Sequence, residues 1–158
     1  MGLDQGSEVV HLPGEGRTID LGAFRMTVKA DEIDTGGFFT LLEATEPAGF
    51  GPPMHTHEDA GEAFYVLEGE YLIFVEDREF VCPAGSFVYI PAGVTHGFRV
   101  GKAQSRKLNI YTPAAMVGYF DELAHAARAD DPLDAKALTE LAARYSMRVL
   151  GPVPEGYA

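Results

Sequence analysis

Two histidines separated by one residue, His55 and His57, narrow what this chain can become. An i, i+2 pair presents both imidazoles to the same side when the backbone between them is extended. Glu62 follows after four residues that include Gly61, enough for a tight turn into the apolar run Ala63-Phe64-Tyr65-Val66-Leu67. His96 arrives much later, just past Pro91-Ala92-Gly93, at the head of another apolar stretch. Brought together, His55, His57, Glu62 and His96 would hold one divalent transition metal ion and leave coordination positions open, as metal-assisted chemistry needs. Mixed nitrogen and oxygen donors do not choose between iron, nickel, cobalt, manganese, copper and zinc.

The remainder of the chain reads as short strands followed by helices. Extended segments are predicted at 8–12, 17–21, 24–30, 38–45, 63–67, 71–76, 79–82, 87–90, 97–100 and 107–111. They are rich in Val, Ile, Phe and Tyr and are punctuated by Gly, Pro and Asp, the pattern of an antiparallel sandwich or barrel. Gly36-Gly37, Glu68-Gly69, Ala84-Gly85 and Ala92-Gly93 supply turns. A helix is predicted from Thr112-Pro113, with Thr as N-cap and Pro in the first turn. Met116, Val117, Phe120, Leu123, Ala124 and Ala127 then recur at helical spacing, until Asp130-Asp131-Pro132 stops the ladder. A second helix over 134–145 has Asp134 as N-cap and Leu138, Leu141 and Ala142 inward, and 147–150 suits a short closing strand.

The spacing around the four ligands goes further. Gly49, five residues, His55, one residue, His57, four residues, Glu62, six residues and Gly69 form one segment. Gly85, five residues, Pro91, one residue, Gly93, two residues and His96 form a second, fifteen residues on. This closely resembles the paired motifs of the cupin superfamily, with metal ligands falling on His55, His57, Glu62 and His96. The Asn that usually closes the second motif is Val100 here. The resemblance implies an all-β double-stranded β-helix, a jelly-roll or cupin barrel, with a C-terminal pair of α-helices. One domain is expected over 1–158, with its barrel core about 24–111 and its helices about 113–146, packed beside or over one barrel opening.

Composition removes several function classes. Twenty-four acidic residues against twelve basic leave a formal charge of −12, which disfavours nucleic acid and anionic membrane surfaces as partners. No run of eighteen apolar residues is present to span a bilayer. The N-terminal Met-Gly-Leu-Asp-Gln-Gly-Ser has neither the basic nor the apolar region of a secretory signal. A single cysteine, Cys82, agrees with a reducing compartment, so a cytoplasmic location is expected. His11 and His125 lie outside the ligand pattern and carry no expected role.

Strand alternation suggests the cavity. Glu62 inward takes Phe64 and Val66 with it, and His96 inward takes Phe98 and Val100. Met54 adjoins the first ligand, Phe39 and Leu41 are placed on a neighbouring strand, and Asn109 and Tyr111 complete the expected lining. Such an apolar, aromatic pocket suits a flat oxygen-bearing small organic molecule better than a phosphorylated one, and Arg99 alternates outward. The full ligand set, the segment Phe50-Gly51-Pro52-Pro53-Met54-His55 and the helical tail most resemble bacterial monocupins similar to quercetin dioxygenase. That resemblance implies a metal-dependent dioxygenase acting on an enolisable, flavonol-like aromatic, with Glu62 taking the substrate's hydroxyl proton. The alternatives are a non-redox metal-dependent cyclase or isomerase, as some relatives of this appearance are polyketide cyclases, and a non-catalytic small-molecule binder. By analogy with small cupins a homodimer is expected, with segment 8–12 added at the partner's sheet edge.

Overall fold

The computed structural model describes residues 7–129 and 132–155. Its strands are β1 (Arg17–Asp20), β2 (Arg25–Ala30), β3 (Thr40–Glu46), β4 (Met54–His57), β5 (Gly61–Glu68), β6 (Glu70–Val75), β7 (Arg78–Pro83), β8 (Phe87–Ile90), β9 (His96–Val100), β10 (Ser105–Thr112) and β11 (Met147–Gly151). The helices are α1 (Glu32–Thr35), α2 (Val117–Arg128) and α3 (Ala135–Arg144). One sheet runs β1-β2-β3-β10-β5-β8 and the other β11-β4-β9-β6-β7, and the pairings within them are antiparallel. From β3 to β10 the chain crosses from one sheet to the other at every connection but the β6–β7 hairpin, which winds a double-stranded β-helix.

Three apolar clusters hold these layers. Between the sheets lie Phe64, Val66, Tyr71, Ile73, Ile90, Phe98 and Val100, alternate residues of β5, β6, β8 and β9. Under the helices, Ile19, Met26, Val28, Leu42 and Ala44 meet Tyr119, Phe120, Ala124, Leu141 and Ala142. The helical pair therefore covers the inner face that β1, β2 and β3 extend beyond the barrel. On the far side of the second sheet, Leu72 and Phe74 pack with Met54 and Val153. Gly69 makes the β5–β6 turn with φ +76°, and a Cβ there would collide with the Ser105 side chain.

Several sequence expectations are corrected. Segment 8–12 forms no strand, and Val9, Val10 and Leu12 are exposed. Adjacent Val9 and Val10 break the alternation that one buried face requires, and Pro13-Gly14 turns the chain before β1. The first long helix starts at Val117, not at Thr112-Pro113. Thr112 stays in β10 opposite Gly61, and Ala114 and Ala115 donate back to Gly37 O and Thr40 Oγ1, which holds the connection to the sheet. Tyr119 joins its buried face while Ala127 is exposed. Asp130 and Asp131, expected to stop it, lie outside the described residues. Asp134 does cap α3, accepting from Ala137 N at 2.8 Å. The short helix α1, with an Asp31–Asp34 capping box, has no counterpart in the sequence reading. Among the described residues no helix is long and apolar enough to cross a membrane.

Candidate metal centre

Strand β4 places His55 and His57 on one face, β9 brings His96 directly opposite His55, and β5 supplies Glu62 from the other sheet. All four side chains are buried, and their ligand atoms lie within 4.8 Å of one another. Backbone carbonyls two residues upstream orient two of the imidazoles. His55 Nδ1 donates to Pro53 O at 2.8 Å, and His96 Nδ1 to Val94 O at 2.9 Å, which turns each Nε2 toward the cluster. Glu62 Oε2 accepts from His96 Nε2 at 2.8 Å, and Glu62 Oε1 accepts from Asn109 Nδ2 at 3.1 Å.

The electrostatics follow from this crowding. Burial alone would push the Glu62 carboxyl up, but the imidazoles of His57 and His96 outweigh it and hold it well below the usual carboxylate range. Burial, helped by His96 and His57, pushes His55 down to about 4, so it is neutral at physiological pH. Burial also opposes a charged His96, yet Glu62 raises it overall, and ligation at Nε2 would replace that proton. Burial and then the Glu62 charge lift the Tyr111 phenol well above its ordinary value.

One atom tests the fit. His57 Nε2 sits 2.9 Å from Glu62 Oε2 but off the line of a hydrogen bond, and is buried with no hydrogen-bond partner. A buried imidazole nitrogen without a partner is costly, and three nitrogens and one carboxylate converging on one point fit a divalent ion.

The cluster opens into a cavity of about 440 Å³. Of the expected lining, Phe64, Phe98, Asn109 and Tyr111 border it. Val66 and Val100 point inward but are packed in the core between the sheets. Phe39, Leu41 and Met54 are corrections. In the β3–β10 ladder Thr40 faces Tyr111 and Leu42 faces Asn109, so Thr40, Leu42, Ala44 and Glu46 are buried on the inner face, and Leu41 alternates outward, as half-exposed Phe39 does just before β3. Met54 is excluded by the alternation that places His55 inward. It packs outside the second sheet, where Gly97 makes room for its sulfur.

Glu46 and Lys107 line the cavity and escaped the sequence reading. The signal was present in part: Lys107 shares parity with Asn109 and Tyr111, but a lysine is ordinarily expected at the surface. The helices contribute Tyr119, Phe120, Leu123 and Leu138 to the roof. Arg99 does point outward, bonding the carbonyls of Gly49, Val153 and Pro154. His125 is exposed on α2.

Residues 41–111, which contain all four clustered side chains, match the Cupin_2 family, a cupin domain. The chain carries a cupin domain. Over 110 residues this cupin is 26% identical to quercetin 2,3-dioxygenase of Bacillus subtilis, an alignment covering 70% of the chain and 33% of that enzyme. The chain thus spans about a third of that relative's length. Among solved structures, an RmlC-like cupin from Shewanella frigidimarina superposes with a TM-score of 0.60 at 21% identity, covering 70% of this cupin and 95% of that chain. The polyketide cyclase RemF from Streptomyces resistomycificus superposes with a TM-score of 0.57 at 25% identity, covering 67% and 79% respectively.

Proposed function

We propose that this cupin is a metal-dependent dioxygenase acting on an enolisable, flavonol-like aromatic small molecule. The observation that carries the reading is the junction of a His57 Nε2 without a hydrogen-bond partner and an ionised Glu62 with an aromatic cavity. A cavity of about 440 Å³ is of the size that buries a small organic ligand. The relationship to quercetin 2,3-dioxygenase supports the substrate class and the oxygen chemistry.

His55, His57, Glu62 and His96 would hold the ion. When bound, a redox-active divalent metal supplies a Lewis-acidic site for an enolate and an electron path to dioxygen. The chain's own residues do the rest. Glu62 is anchored by Asn109 and is the carboxylate placed to take the proton of an enolic hydroxyl. Phe64, Phe98, Tyr119 and Phe120 flank a planar ligand and exclude water from the reacting end.

The structural likeness to RemF favours a second reading, a non-redox cyclase built on the same ligands. Oxygen uptake separates the two. Protein loaded in turn with iron, nickel, cobalt and manganese is supplied with quercetin under air and under nitrogen. The dioxygenase reading expects one dioxygen consumed per flavonol and no turnover under nitrogen. Turnover without oxygen would transfer the assignment to the cyclase, and no turnover with any metal would make the cupin a binder.

A further inference from the structure

The cavity has a second polar end that the metal centre does not explain. Register along β10 places Tyr111 opposite Glu62, Asn109 opposite Phe64 and Lys107 opposite Val66. Lys107 therefore lies two pleat repeats from the metal level, roughly 13 Å along the strand at about 3.3 Å per residue. Its side chain is wholly buried, as is that of Glu46. Lys107 Nζ donates to Glu46 Oε1 at 2.7 Å, and Tyr71 OH donates to the same oxygen at 2.9 Å. The ammonium also sits 4.2 Å from the Phe98 ring centre, with Tyr71 and Phe64 at 5.2 and 5.4 Å.

Folding alone gives little reason for this dyad. A buried ion pair is often no more stabilising than apolar side chains of the same volume, and the surroundings here are already aromatic. Both members border the cavity. Tyr71 and Lys107 both donate to Glu46 Oε1 and not to Oε2, and Lys107 has donors beyond the one given to Oε1. Between the two poles, Asn109 Oδ1 is buried with no partner, a further acceptor on the same track.

We propose that Lys107 and Glu46 form a distal recognition site that selects substrates carrying a neutral hydroxyl at the end remote from the metal. The pairing sets the class. Glu46 cancels the charge of Lys107, so a carboxylate gains no net attraction and must still be desolvated. A phenolic hydroxyl donates to Glu46 Oε2 and accepts from Lys107, and so satisfies both. A purely apolar end leaves both unsatisfied. The proposal deepens the reading of this cavity as the substrate site and rests on it.

The test uses fragments that lack the enol, so its outcome is independent of the oxygen assay. Phenol, toluene and benzoate are titrated into the full chain after chelator stripping, so that no metal takes the carboxylate, and binding is followed by methyl NMR shifts of Val66 and Val100. Phenol is expected to bind at least about tenfold more tightly than toluene, the low end of what hydrogen bonds to two charged groups contribute once the hydroxyl's own hydration is lost, with no saturable response to benzoate. Glu46→Gln combined with Lys107→Met keeps the volume and removes the charges, and should bring phenol and toluene within about twofold on the same scale. Glu46→Gln alone leaves the ammonium uncompensated and should reveal benzoate binding, a gain that misfolding cannot mimic. A phenol-to-toluene ratio near one in the parent overturns the proposal. So does a ratio unchanged in the double variant, or parent protein that prefers benzoate.

Discussion

Replacing His96 with alanine gives the most direct reading of the metal site. Its ligands come from β4, β5 and β9, so the site exists only when the two sheets have closed on each other. An ion that binds the folded chain and not the unfolded one stabilises it by about 2.7 kcal/mol at a free concentration one hundred times its dissociation constant. For a chain of 158 residues, each kcal/mol corresponds to roughly 2–4 °C in melting temperature, a rise of about 5–11 °C. His96→Ala removes one of three nitrogens and the 2.8 Å partner of Glu62 Oε2. If affinity falls about a hundredfold, the same metal concentration equals the new dissociation constant, and the gain drops to about 0.4 kcal/mol, or roughly 1–2 °C. The assay is calorimetric melting of chelator-stripped protein with and without zinc, each variant referred to its own metal-free baseline. His125→Ala, at an exposed position on α2, is the control and should keep the full rise. Equal metal-induced rises in wild type and His96→Ala would refute the four-ligand site.

Three further outcomes are expected. Tyr71→Phe removes a buried hydroxyl that donates to a charged carboxylate at 2.9 Å, and should cost about 1.5–3 kcal/mol in urea unfolding; Tyr65→Phe, on a half-exposed ring, should stay within about 0.5 kcal/mol, and a Tyr71 effect that small would mean Glu46 needs no second donor. Asp134→Ala deletes the cap of α3 and should lower stability by about 1 kcal/mol, with Asp134→Asn recovering most of it; failure of asparagine to rescue would show that charge and not capping is at work. Glu62→Gln should retain part of the bound metal, measured by plasma mass spectrometry, while losing turnover of an enolisable substrate, and full turnover would exclude Glu62 as proton acceptor.

The sequence carries the ligand set almost in full, because metal ligation needs residue types at set spacings and an i, i+2 pair in a strand fixes a face. Alternation likewise places Phe64 and Phe98 once Glu62 and His96 are inward. Legibility ends where pairing decides. Phe39 and Leu41 are separated from Thr40 and Leu42 only by the β3–β10 register, which no local pattern records. The start of α2 depends on hydrogen bonds from 114 and 115 to residues far upstream, which outweigh the local preference of Thr112-Pro113 for a helix start. Lys107 is the instructive miss: its burial depends on Glu46, a residue distant in sequence that becomes a neighbour only when β10 lies beside β3.

The pairing of β11 with β4 bears on the order of events during synthesis. Met147 lies opposite His57 and Val149 opposite His55, so the strand that presents two ligands gains this ladder only from residues translated long after it. On its other side β4 is held by the ladder pair His55–His96 and by Gly93 N donating to His57 O at 2.8 Å. A nascent chain thus holds all four clustered side chains well before the strand that secures two of them has been translated, and completion of the site waits on β11.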